Sequence, residues 1–134
     1  MNKEGKKRNK KKYMKQYSMF EYKNTHTLEQ RKKETETIIR KFPNRIPIIC
    51  EVANNTKKKI TLDKNKYLVP NDITMGQFLY VIRKKIKMLP EESLFMFINN
   101  KIPLTSQLIS EIYRMEKEED GFLYVQISME STFG

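Results

Sequence analysis

KYLVPNDITMGQFLYVIRKKIK, residues 66–87, is the stretch from which the fold can be read. Lys66 to Pro70 is a strand-like run that offers apolar residues to both faces. Its lysine flank and terminal proline suit the edge of a sheet, where a missing N–H costs no ladder bond. Thr74 to Lys87 then gives the clearest helix of the chain. Thr74 and Gln77 stand at capping-box spacing, and Met75, Phe78, Leu79, Ile82 and Ile86 form one apolar stripe. Arg83, Lys84, Lys85 and Lys87 gather at the end where the helix dipole favours positive charge.

Working outward toward the N-terminus, NNTKKK (54–59) is a loop, and IPIICEV (46–52) reads as a strand. Alternation puts Ile48, Cys50 and Val52 on one face of that strand, with Pro47, Ile49 and Glu51 on the other. Thr27 to Phe42 reads as a helix, capped by Thr27 with Gln30 and ended by Pro43, with Leu28, Arg31, Thr35, Ile38 and Ile39 along one side. Residues 13–26 are expected to form a helical extension, because Tyr13, Tyr17 and Phe20 recur near helical spacing among lysines. Residues 1–12, MNKEGKKRNKKK, carry too little apolar surface to offset ordering and are expected to be a disordered basic arm.

Toward the C-terminus, SLFMFIN (93–99) is a third strand and Asn100-Lys101 a turn. Thr105 to Met115 is a shorter helix with Leu108, Ile109 and Ile112 facing in. Phe122 to Ile127 is a buried strand entered through the Asp120-Gly121 turn. The order is helical N-terminus, β, β, helix, β, short helix, β. These elements predict an α+β β-grasp: a four-stranded mixed sheet crossed by one helix, behind a helical N-terminus. The folded domain is expected to span residues 27–134, including a polar tail from 128 to 134.

Composition narrows the functions. The chain has 134 residues, 38% of them hydrophobic, and a net charge of +11. Residues 1–24 hold nine Lys or Arg against Glu4 and Glu21, so most of the excess is in the arm. No apolar run approaches the ~18 residues a membrane span needs, and the start has no signal-peptide core, so a cytoplasmic protein is expected. Cys50 is the single cysteine and His26 the single histidine. Cys50 lies in an apolar strand and is expected in the core, and His26 is expected on the solvated surface. No zinc set, phosphate loop or paired carboxylates appear, so neither an enzyme nor a metal or other cofactor is indicated. The tail ends at Gly134, whose α-carboxylate has no Cβ beside it to obstruct an enzyme channel.

KFPNRIPIICEVA (41–53), DKNKYLVPNDITMGQFLYVIRKKIKMLPEESLFMFINN (63–100) and EEDGFLYVQISMESTFG (118–134) resemble the characteristic segments of the autophagy ubiquitin-like modifiers. That family includes GABARAP and the microtubule-associated light chains, and the resemblance covers about four fifths of the chain. It implies an α+β, ubiquitin-like β-grasp with two N-terminal helices, making 27–134 a ubiquitin-like domain. It also implies that Gly134 is activated by a ubiquitin-like activating enzyme, passed to a conjugating enzyme and joined to phosphatidylethanolamine. A soluble protein would thereby become a marker of the autophagosomal membrane, released again by a cysteine protease. Many relatives carry residues beyond the glycine that this protease removes; this sequence ends at Gly134 itself.

The resemblance also implies docking of autophagy receptors through a short aromatic-x-x-aliphatic motif added as a strand beside Lys66 to Pro70. The aromatic pocket would use Glu34, Ile38, Pro47, Ile49, Lys66, Leu68 and Phe122. The aliphatic pocket would use Tyr67, Val69, Pro70, Ile73, Phe78, Val81 and Ile82. Arg45, Lys64 and Lys85 would attract acidic residues flanking the motif. The sequence departs from the family at Leu28, where an aromatic is usual, in the NNTKKK loop, and in the added basic arm. Two rival readings are a modifier joined to protein lysines and a tether for nucleic acid or microtubules working through the arm. No nucleic-acid partner is expected under the leading reading.

Overall fold

A computed structural model describes residues 19–53 and 60–130. Two helices come first, α1 (Glu21–Thr25) and α2 (Leu28–Lys41). Then follow β1 (Arg45–Val52), β2 (Lys66–Pro70), α3 (Met75–Ile86), β3 (Phe95–Phe97), α4 (Ile109–Glu116) and β4 (Leu123–Ser128). The sheet order is β2-β1-β4-β3. β1 runs antiparallel to β2 and parallel to β4, and β3 runs antiparallel to β4. The expected four-stranded mixed sheet is therefore present, with β2 on one edge. The basic arm, residues 13–18 of the expected helical extension, the NNTKKK loop and the tail from residue 131, including Gly134, lie outside the described residues.

Strand alternation feeds two apolar layers. Ile48 and Cys50 of β1 and Leu123, Val125 and Ile127 of β4 face the main core, where Met75, Phe78 and Ile82 of α3 and Ile109 and Ile112 of α4 cover them. Ile49 of β1 and Tyr124 of β4, with Phe122 just before that strand, face the other way and pack with Tyr22 of α1 and Ile38 of α2. Both capping boxes are formed: Thr27 accepts from the Gln30 N–H at 3.1 Å, and Thr74 from the Gln77 N–H at 3.2 Å.

The expected helix from Thr105 starts later, at Ile109, and the reason is visible at the head of α3. The N–H groups of Met75 and Gly76, left without intrahelical partners, donate to the carbonyls of Gln107 and Thr105, both at 2.9 Å. A segment whose carbonyls are strapped to another helix does not coil into its own. Leu108, expected to face in, is 38% exposed. On α2, Thr35 and Ile38 are buried but Leu28 and Ile39 lie outside, so the inward stripe is narrower than its spacing implied. β3 is limited to Phe95–Phe97 because Ile98 already pairs with Lys101 across a tight turn. The turn residues are Asn99 and Asn100, one position earlier than expected, with φ of 50° and 64°. A two-residue hairpin turn of this kind needs positive φ at both centres, which asparagine tolerates.

Candidate functional site

Chemistry on this molecule has to come from its surface, because the single thiol is out of reach. Cys50 is fully buried, and desolvation followed by the Glu51 charge pushes its pKa far above the ordinary value. His26, expected on the solvated surface, is half-buried there, its ring stacked on Tyr22 at 4.2 Å and 21°. No group of carboxylates, Cys and His able to hold a metal occurs among the described residues, and none of their helices is long and apolar enough to cross a membrane.

The open feature is the outer edge of β2. The Cys50 N–H donates to the Asn65 carbonyl at 2.8 Å, which fixes the phase of the antiparallel ladder. The register places Tyr67 opposite Ile48 and Val69 opposite Ile46, in bonded positions. Lys66 and Leu68 fall in the alternate positions, with their N–H and C=O turned away from β1. Pro47 sits opposite Leu68, where no donor is required. An extended segment laid along β2 therefore meets backbone groups that β1 leaves unused. The Leu68 carbonyl accepts from Arg45 Nη1 at 3.1 Å, so a guanidinium covers part of that edge.

One face of the edge strand lies against α2. Glu34 on α2 accepts from Lys66 Nζ and from the Tyr22 hydroxyl, tying helix, strand and α1 together. Burial raises the Glu34 pKa, but the hydrogen bonds from Lys66 and Tyr22 and the charges of Lys66 and His26 outweigh it, so the carboxyl lies below its usual 4.5. Burial and the same contact with Glu34 push the Tyr22 hydroxyl upward. Ile38, Ile49 and Phe122 form the apolar floor, with Leu68 packed against it half-buried. Ile49, Pro47 and Phe122 are fully buried, so the surface offered to a ligand consists of Lys66, Leu68 and Glu34. Tyr22, absent from the sequence-based set, stands at the centre of this group. It meets Phe122 edge to face at 5.4 Å and lies under Lys66 Nζ at 5.4 Å from the ring. Its i, i+4 spacing to His26 was the available signal.

The other face lies against α3. Tyr67, Val69, Phe78 and Ile82 belong to the main core, with Tyr67 edge to face on Phe78 at 5.9 Å. Above them Val81 is 43% exposed, Pro70 is exposed and Ile73 half-buried, and these three present the apolar surface. Burial, then the nearby Cys50 and Asp63, push the Tyr67 hydroxyl up to about 12. Lys64 and Lys85 both bring their ammonium groups over the Tyr67 ring, at 5.5 and 5.9 Å. With Arg45 they form a cationic border to the edge.

The α2-side floor is anchored at the entry to β4. Asp120, buried, pairs with Arg31 of α2 at 3.1 Å and accepts from the Phe122 N–H at 2.9 Å and from the Tyr124 hydroxyl. The Thr35 hydroxyl donates to the Asp120 carbonyl, and that of Tyr113 to the Gly121 carbonyl at 2.7 Å. Phe122 is thus fixed from both sides.

Comparison with known proteins shows the family. The model of the family described as autophagy protein Atg8 ubiquitin like matches residues 30–134. Autophagy-related protein 8 of Mycosarcoma maydis is 55% identical over 113 residues, covering 84% of this chain and 95% of that protein. The Kluyveromyces lactis protein of the same name is 52% identical, covering 84% of this chain and 90% of its own length. Among solved structures, Trypanosoma brucei ATG8 superposes with a TM-score of 0.79 at 41% identity, over 87% of this chain and all of that one. Plasmodium falciparum Atg8, solved in complex with a Plasmodium falciparum Atg3 peptide, superposes with a TM-score of 0.77 at 34% identity, over 86% of this chain and all of that one. The family match over residues 30–134, this extent of shared sequence and the shared fold place the chain in the Atg8 family of autophagy ubiquitin-like modifiers.

Proposed function

We propose that this modifier is joined through Gly134 to phosphatidylethanolamine during autophagosome formation, and that its β2 edge docks receptors carrying an aromatic-x-x-aliphatic motif. The observation that carries the docking half is the outward-facing backbone of Lys66 and Leu68 between two apolar surfaces. A receptor segment adds as a strand there, its aromatic side chain directed toward Leu68, Lys66 and Glu34 and its aliphatic one toward Val81, Pro70 and Ile73. Arg45, Lys64 and Lys85 attract acidic residues beside the motif, which acts chiefly on encounter and selectivity.

The conjugation half rests on family membership, since the family match runs through Gly134. Activating and conjugating enzymes and a delipidating cysteine protease are its partners, and the Atg3 peptide on the Plasmodium falciparum relative supports the conjugating enzyme. Two acyl chains, at ~0.8 kcal/mol for each buried CH₂, convert a cytoplasmic protein into a firmly held component of the autophagosomal membrane. Intact-mass measurement of the endogenous membrane-bound form tests this. The expected result is an added mass of one phosphatidylethanolamine at the terminal carboxylate; an adduct of protein without lipid overturns it and favours conjugation to lysines.

A further inference from the structure

The first turn of α1 is capped from far along the chain. With five residues, α1 is too short to persist on its own, and Phe20, which precedes it, supplies no side-chain cap. Instead both carboxylate oxygens of Glu51 are used: Oε1 accepts from the Glu21 N–H at 2.8 Å and Oε2 from the Tyr22 N–H at 3.0 Å. Glu51 is the seventh residue of β1 and pairs with Gln126 in the parallel ladder, so the cap is rooted in the middle of the sheet. One of the two amides it holds belongs to Tyr22, the residue that joins Glu34, Lys66 and Phe122 on one face of the edge strand.

We propose that Glu51 is a positioning residue for the aromatic end of the receptor groove. Its carboxylate seats α1, and α1 in turn holds Tyr22 as the wall behind Glu34 and Lys66. This rests on the receptor-groove reading above. Glu51 touches no ligand in this account; it acts through the helix. Two charge-assisted bonds to backbone donors also match the positive end of a helix, the arrangement in which a carboxylate is most effective. The effect is bounded on two sides. A polar cavity of about 680 Å³ beside Glu51, lined by Glu21, Asn24, Asp63 and Asn65 among others, gives water access to the cap. Lys23, which pairs with Glu118 and lies 4.3 Å from the Tyr124 ring, keeps α1 near the domain when the cap is lost. Removing the carboxylate therefore loosens α1 without releasing it.

The test uses the full chain with Glu51→Ala and Glu51→Gln. Amide hydrogen exchange is read at Glu21 and Tyr22. Affinity is measured for a receptor-type peptide with Trp at the aromatic position and for the same peptide with Ala there. Glu51→Ala is expected to speed exchange at both amides and to weaken the Trp peptide about tenfold while leaving the Ala peptide unchanged. Glu51→Gln keeps one carbonyl acceptor and falls between, and it serves as the readout if the alanine variant folds poorly. Unchanged exchange at the two amides overturns the proposal, and so does an equal loss for both peptides. If the wild-type chain binds Trp and Ala peptides alike, the groove reading fails and takes the pocket half of the proposal with it. Exchange then upholds or overturns the seating of α1 by itself.

Discussion

Gly121 shows how narrowly a single position can be constrained. Its φ is +91°, and a Cβ built there would lie 2.6 Å from Thr35 Oγ1 and 2.9 Å from Thr35 Cβ. Thr35 cannot retreat, because its hydroxyl is bonded to the Asp120 carbonyl. Gly121→Ala is expected to cost about 1–3 kcal/mol, read as a lower urea midpoint with an unchanged slope. Glu34 makes a second residue-scale prediction. Its folded pKa lies below the unfolded 4.5, so its contribution is complete above that value and is lost as pH falls through the folded one. Between about pH 6 and pH 3 the wild-type chain should lose stability relative to Glu34→Gln, measured by urea unfolding at each pH. The Asp120-Gly121 turn could be read from the dipeptide alone. The clash with Thr35 could not, since it joins positions 86 apart in the chain.

At the scale of elements, β2 carries the heaviest demands: it must complete the sheet on one side and remain unpaired on the other. Leu68→Ala trims the half-buried side chain on the α2 face without opening the main core. It should weaken a receptor peptide by ~1–2 kcal/mol, roughly five- to thirty-fold, in a calorimetric titration; unchanged affinity would sink the groove. The two long helices were legible because their signals are local, a Thr and a Gln three residues apart followed by an apolar stripe. The strand near residue 95 and the helix near 109 were placed correctly but drawn too long. What shortens them is tertiary: the Ile98–Lys101 pair, and the carbonyls of Thr105 and Gln107 spent on α3. Tyr22 escaped notice for the same reason, because what makes it central is Glu34, Lys66 and Phe122 meeting around it.

The molecule as a whole divides its charge and its work unevenly. Deleting residues 1–17 removes most of the basic excess but none of the described helices or strands. Enzymatic conjugation to vesicles should then proceed at a yield near that of the full chain. If the arm were the working part, as in a nucleic-acid tether, its loss would abolish a steeply salt-dependent binding instead. The sequence conveyed the order of elements and the β2 edge, but not that β1 and β4 would lie side by side at the centre of the sheet, with β2, α3, β3 and α4 between them along the chain. That adjacency bears on synthesis. A nascent chain emerging from the ribosome can close the β1–β2 hairpin early, yet β1 has no inner neighbour, and α3 and α4 nothing complete to cover, until residue 128 is out. Folding is thus held back until β4 has been made, and truncation before β4 should leave a fragment that chaperones hold rather than a smaller working domain.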